Sequence, residues 1–373
     1  MQSTQQLIQQ QTMQQLQQIY PSKVAFQNFP EIIPQDDRVR CIAKQLYENL
    51  QNFYNQQEQQ PDPNKQIEIE AKLGQLVFSQ QNMSYLETHL MMSQFSFNFW
   101  TILQDPKPPR GGKALYQFQA GVVNQDSEQK NIQKQIFYAL QQELSRQATV
   151  NRIFKESYQQ TKDETFRTKS DQIRKSFLFN DKTKQYDPQP YEILRKQRVS
   201  DINVKKGTDL FVYKQDFRIT TSIEEKITHQ IGNEYRMDSI RIKKRHKYLY
   251  TYMTFDLTET QRINPENNQV LEENFEVEAE ITDVNHLRQN LQNYEQFVSI
   301  IRRFLQNIGG LMNLVHDIIR NSDQMIQQNQ SELMNQYQED LNRNYKQFYD
   351  NAPKSIVGDY LSSVATAIMR ENQ

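Results

Sequence analysis

The chain has one cysteine, one tryptophan and nine glycines in 373 residues, and no apolar run approaching 18 residues. A lone cysteine, Cys41, excludes an intrachain disulfide framework and argues against a cysteine-built zinc module. The missing apolar run argues against a membrane-spanning helix. The opening MQSTQQLIQQ lacks the basic-then-apolar order of a secretory signal. These absences predict a soluble intracellular protein with no membrane partner. Five histidines (His89, His229, His246, His286, His316) form no His-x-x-x-His pair, so zinc chemistry has no support. Hydrophobic residues are also scarce, at 36% against roughly 45–50% in an ordinary globular chain. Glutamine and asparagine fill the deficit, mostly at the two ends. We therefore expect a Gln-rich, disordered extension over 1–34, a folded domain over 35–320, and a Gln/Asn-rich, partly helical tail over 321–373. That tail carries an apolar patch, Tyr360 to Met369.

Net charge is −1, which names no partner, but the charge is unevenly placed. Between Asn151 and Tyr250 stand 23 Lys or Arg and 14 Asp or Glu, a local net of +9. A basic middle in a neutral chain fits either a solvated face or a site for an anion such as phosphate.

Hydrophobic periodicity divides this middle. Val39, Ile42, Ala43, Leu46, Leu50 and Phe53 predict an amphipathic helix from Asp36 that Pro61 and Pro63 end. Cys41 on it reads as a structural residue, with no histidine or arginine cradle for thiol chemistry. From Gln66 the period becomes two, as in a half-buried strand. It returns at 172–179, 192–199, 217–224, 239–252 and 274–281. After Asp283 a long helix is expected through Leu305, closed by Gly309 and Gly310 as its C-cap. The fold expected is α+β, an antiparallel β domain braced by helices at both ends.

The polar faces of these strands are unusual. Glu68, Glu70 and Lys72 share one face of the first. Glu276, Glu278 and Glu280 share one face of the last, about 7 Å between successive members. Carboxylates that close repel unless water or a cation neutralises them, and such oxygen clusters suit Mg²⁺ or Mn²⁺. Opposite in sign are Arg241, Lys243 and Arg245, then Lys196 and Arg198, with Arg174 and Arg218 in similar settings. Guanidinium and ammonium groups fit phosphate oxygens. Converging inside a closed barrel, the two sets would hold a metal beside a polyphosphate. Residue patterns alone leave that reading and a set of solvated faces equally open.

The order of these segments resembles the fungal and protozoan type of RNA 5′-triphosphatase, the first enzyme of mRNA capping, within the triphosphate tunnel metalloenzymes. Glu68, Glu70 and Lys72 match the opening Glu-x-Glu-x-Lys strand. Tyr158 to Phe166 with Gln172-Ile-Arg174 looks like the segment introducing a phosphate-binding arginine. Lys196 and Arg198 match a Lys-x-Arg strand, and Asp216-Phe-Arg218 to Glu224 matches an Asp-x-Arg-x-Ser…Glu pattern. Arg241-Ile-Lys243-Lys-Arg245 is followed by Asp256-Leu-Thr258, and Glu276, Glu278 and Glu280 close the series. The connection over 75–117 is longer than the family pattern, Thr220 and Thr221 replace part of a Ser-rich strand, and Thr254 stands where a basic residue is common.

The resemblance implies a tunnel of about eight antiparallel strands with a charged lumen, resting on helices. It implies Glu68, Glu70, Glu278 and Glu280 as ligands of Mg²⁺ or Mn²⁺. Arg174, Lys196, Arg198, Arg218, Arg241, Lys243, Arg245 and Lys72 would bind phosphate. In the catalytic group, Glu224 would position the attacking water, Glu276 would support the metal carboxylates, and Asp256 and Thr258 would orient their neighbours. The implied reaction is metal-assisted removal of the γ-phosphate from 5′-triphosphate RNA, leaving a diphosphate end, in the nucleus. Alternatives are a tunnel enzyme acting on tripolyphosphate or nucleotides, and a non-catalytic tunnel-fold binding subunit. No Lys-x-Asp-Gly stretch is present, so a separate mRNA guanylyltransferase chain is the expected partner. A homodimer stays open. Pro109 to Ala114 lacks the spacing of a phosphate loop and reads as an ordinary loop.

Overall fold

The computed structural model describes residues 36–78, 100–103, 116–121, 130–169, 171–206, 216–228, 232 and 234–318. The expected N-terminal extension, the Pro109 loop and the C-terminal tail with its apolar patch lie outside the described residues. In chain order the elements are α1 (Asp36–Gln59), β1 (Lys65–Phe78), β2 (Trp100–Leu103), β3 (Tyr116–Ala120) and α2 (Lys130–Arg146). Then follow β4 (Lys155–Arg167), β5 (Gln172–Asn180), β6 (Gln185–Tyr186), β7 (Glu192–Lys206) and β8 (Asp216–Lys226). The last are β9 (Arg236–Tyr250), β10 (Met253–Ile263), β11 (Val270–Ile281), α3 (Val284–Asn290) and α4 (residues 294–318).

Eight strands close on themselves in the order β1, β11, β10, β9, β4, β5, β7, β8 and back to β1, every pairing antiparallel. Closure removes the barrel's free edges. Period two then sorts each strand in the direction opposite to a packed small barrel. Ile67, Ile69, Ala71 and Leu73 of β1, with Phe275, Val277, Ala279 and Ile281 of β11, point outward and are buried. They join Val39, Ile42, Leu46 and Leu50 of α1, Phe137 and Leu140 of α2, and Phe297, Phe304 and Leu311 of α4 in one core. Burying each such side chain contributes about 1.5–3 kcal/mol, so the helices hold the barrel from outside and leave its lumen to polar groups.

Several elements differ from expectation. Residues 75–117 are not a plain connection. β1 continues to Phe78 and pairs with β3 beyond Gly74, while β2 extends the end of β7. Two glycines permit this. A Cβ on Gly74 would stand 2.2 Å from the Gln119 carbonyl oxygen, and Gly121 turns with φ +119 beneath the Phe275 carbonyl. The stretch 239–252 overruns a hairpin. β9 ends at Tyr250, Thr251 takes φ 52, and Met253 opens β10 opposite Tyr250. No Asn-Gly or Gly pair marked that turn.

The helix after Asp283 breaks at 291–293 and restarts, the Asn293 side chain accepting from the Gln296 N–H at 3.2 Å. It then runs through Gly309 and Gly310 instead of ending there. Ile308, Leu311, Met312, Leu314, Val315 and Ile318 continue its buried stripe. Their packing outweighs the roughly 1 kcal/mol that each helical glycine costs. Cys41 is not a packed residue either. It is exposed, because the buried stripe of α1 passes through Val39 and Ile42 on either side of it. No described helix is long and apolar enough to cross a membrane.

Candidate active site

The lumen holds a cavity of about 640 Å³. Its acidic floor comes from β1 and β11. Their register places Glu70 opposite Glu280 and Lys72 opposite Glu278, so the two alternating acidic faces meet across one pairing. Glu68, Glu70, Glu276, Glu278 and Glu280 all line it.

Lysines stand between these carboxylates. The Lys72 ammonium lies 2.6 Å from Glu278, 3.7 Å from Glu276 and 3.8 Å from Glu70. Burial opposes its charge, but the three carboxylates outweigh burial and hold it firmly protonated. Lys196 touches Glu68 and lies 3.5 Å from Glu70 and 3.8 Å from Glu224. Burial again opposes its charge, and again the carboxylates prevail.

The carboxylates respond unequally. Burial would raise Glu278, yet Lys72 and Arg245 hold it well below the usual carboxylate range. Burial raises Glu70 and Glu276 despite Lys72. Burial pushes Glu280 up to about 7, with Glu68 and Asp256 adding to the effect. Glu280 has two like charges as neighbours. Among the described residues no three acidic side chains are gathered as a finished metal site. The donor set is nevertheless four buried or half-buried carboxylates on adjoining strands, and burial and like charge at Glu280 outweigh Lys247 and Arg245. Hard-oxygen donors in this state fit a divalent cation.

The basic wall faces this floor. Arg174 of β5, Lys196 and Arg198 of β7, and Arg241, Lys243, Arg245 and Lys247 of β9 line the same cavity. Lys243 pairs with Asp163 at 2.7 Å, while burial and the nearby Arg174 and Arg245 press its pKa down. Arg174 lies 4.0 Å from Asp163 and 3.9 Å from Glu224. Asp256 and Thr258 of β10 sit behind this wall. Thr258 accepts from Arg245 Nε at 3.1 Å, and Asp256 lies 3.5 Å from Arg245 and 3.4 Å from Lys247. Both Asp256 oxygens are buried with no hydrogen bond, so ion pairing alone offsets their burial.

Most of the expected residues meet in this cavity, but not all as expected. Arg218 does not reach it. It shares the lumenal face of β8 with Ser222 and Glu224, but Asn203 accepts from its Nε at 2.7 Å and Phe118 of β3 lies under its guanidinium at 4.5 Å. Asp201 lies 3.7 Å from the same guanidinium. Lys72 belongs to the acidic floor, because Glu278 is its nearest partner. Arg198 stands at the rim, 61% exposed and 3.1 Å from Asp201.

The lining also includes residues with no expected role, among them Asp163, Lys247, Tyr191 and Glu192. Asp163 was hidden because β4 is polar on both faces and shows no hydrophobic alternation. Lys247 continues the Arg241, Lys243, Arg245 spacing by two, and Glu192 precedes Lys196 by four on the same face, so both were within reach of that period.

A closed antiparallel barrel with an acidic floor facing a basic wall defines the triphosphate tunnel class. A family model described as the mRNA capping enzyme, beta chain, matches residues 32–317. The chain belongs to this mRNA triphosphatase family, and its activity is that of an RNA 5′-triphosphatase, a hydrolase of mRNA capping. Among solved structures, the S. pombe Pct1 RNA triphosphatase is 23% identical with a TM-score of 0.50, over 78% of this chain and 97% of that one. Pct1 in complex with the Spt5 CTD is 22% identical with a TM-score of 0.49, over 79% and 98%. Comparison with curated proteins finds no match.

Proposed function

We propose that the chain uses Mg²⁺ or Mn²⁺ to remove the γ-phosphate from the 5′-triphosphate end of nascent RNA in the nucleus. A separate guanylyltransferase chain would take the diphosphate end it leaves. The observation carrying this reading is the meeting of Glu68, Glu70, Glu278 and Glu280 with Arg174, Lys243 and Arg245 in one cavity.

The four glutamates would hold the metal, which supplies positive charge to the phosphoryl oxygens. Lys72 keeps Glu278 ionised, and Glu276 shares that ammonium. Arg174, Lys196, Lys243 and Arg245 hold the phosphate chain and offset charge that develops during transfer, with Arg241 and Arg198 further along the wall. Asp256 and Thr258 keep Arg245 aimed into the lumen. Glu224, which accepts from the Gln66 side-chain amide at 3.4 Å, would align the attacking water.

The test is phosphate release from triphosphate-ended RNA with either metal and with chelator, for the chain and for Glu278→Ala. Release that chelator and the substitution both abolish, leaving diphosphate ends, is expected. Cleavage of tripolyphosphate without RNA cleavage would move the reading to another tunnel substrate.

A further inference from the structure

Tyr191 lies outside the ligand set just described, yet it lines the same cavity. It follows Pro190, whose ring fixes the backbone ahead of it, and its own N–H donates to the Ser176 carbonyl at 3.0 Å. The residue is therefore pinned to the edge of β5, beside Arg174. Its side chain is left open. It is 48% exposed, and among the described residues its ring has no aromatic or cationic partner and its hydroxyl no hydrogen bond.

Other tyrosines around the barrel have partners: Tyr138 of α2 donates to Glu259, Tyr235 just before β9 to Asp171, and Tyr248 of β9 to the Gln141 carbonyl. Tyr191 shares the lining of one cavity with Asp163, Arg174 and Arg245. An RNA triphosphate held there carries a nucleoside at its α-phosphate end, and inorganic tripolyphosphate carries none. Every base has a π-face that can stack on an aromatic ring without sequence preference.

We propose that Tyr191 is a specificity-determining residue whose ring stacks on the first base of the RNA and favours RNA ends over inorganic tripolyphosphate. This rests on the phosphate site of the proposed function. A lone planar platform suits an enzyme that must accept any transcript, since stacking reads the presence of a base and not its identity.

The experiment compares KM for 5′-triphosphate RNA and for inorganic tripolyphosphate in the full chain and in Tyr191→Ala, Tyr191→Phe and Tyr191→Trp. In Tyr191→Ala the ratio of the RNA KM to the tripolyphosphate KM is expected to rise about 5- to 100-fold. Phe and Trp are expected to restore it, because both keep the ring. An unchanged ratio overturns the proposal. So does a Tyr191→Phe variant that behaves as Tyr191→Ala, which would assign the effect to the hydroxyl. If the unsubstituted chain hydrolyses neither compound, the proposed function falls. The same ratio, measured as competitive binding in chelator, then decides the stacking separately.

Discussion

The acidic floor and the basic wall of the tunnel are built from the same kind of strand but supported differently. β1 and β11 send Ile69, Leu73, Val277 and Ala279 outward into the helix-backed core. On the wall side, β9 turns Lys244 outward, 3.0 Å from Glu259, and β4 and β5 turn Lys162, Glu164 and Lys175 outward beside Ile173 and Phe177, with Lys162 at 2.8 Å from Glu164 and Lys175 over Phe166. The mutually repelling carboxylates are thus mounted on the firmly packed side. Repulsion among ionised carboxylates costs stability, and apolar burial behind β1 and β11 offsets it. Arginines and lysines need less support, since their long stems reach the lumen from strands whose outer faces mix charged with apolar residues.

The largest test of this contrast removes the cation that holds the floor together. Lys72→Met leaves Glu278, Glu276 and Glu70 without their shared ammonium. Breaking a buried ion pair this way costs about 3–5 kcal/mol. Thermal melts in chelator should show that loss, and added Mg²⁺ or Mn²⁺ should recover part of it. A variant as stable as the parent in chelator would show that the floor does not depend on Lys72.

The wall should respond to acid through Asp163. Burial would raise this carboxyl, but Lys243 and Arg174 outweigh burial and hold it below its usual value. Arg245 of β9, Glu192 of β7 and Tyr191 just before β7 also act on this group. A depressed folded-state pKa means that the unfolded chain takes up the proton first. The stability Asp163 contributes is therefore complete above the unfolded value, about 3.9, and is lost as pH falls through the lower folded value. Denaturant titrations should show a shallower acid-side loss in Asp163→Asn than in the parent, and equal slopes would remove Asp163 from the account.

The smallest effect is expected where the insertion meets the barrel. Phe118→Ala removes the ring beneath Arg218, worth about 0.5–1 kcal/mol. Because Arg218 stands outside the cavity, kcat should be unchanged while stability drops by that amount. A large fall in kcat would return Arg218 to the phosphate site.

Much of the floor was legible because Glu68, Glu70, Glu276, Glu278 and Glu280 lie on strands with strict apolar alternation, where period two alone assigns a face. Arg241, Lys243 and Arg245 were legible from their spacing of two and their shared sign, although Lys244 and His246 between them are polar. β4 was not, since Gln159, Thr161 and Asp163 alternate with residues just as polar. The hairpin at Thr251 was misread because no local signal marks it, and the helix through Gly309 and Gly310 because the local signal there opposes the tertiary packing that prevails.

The sequence by itself determined which residues share a strand face, which strands carry acid and which carry base, and where the first helix begins and ends. Backbone geometry imposes those relations over a few residues. Only the tertiary structure decided that the strands close, that Lys72 joins the carboxylates, that Phe118 packs under Arg218, and that Tyr191 opens onto the cavity. Those outcomes depend on partners far apart in the chain, such as Lys72 with Glu278 and Phe118 with Arg218. No local pattern encodes such a pairing; register across strands and the balance of burial against charge set it.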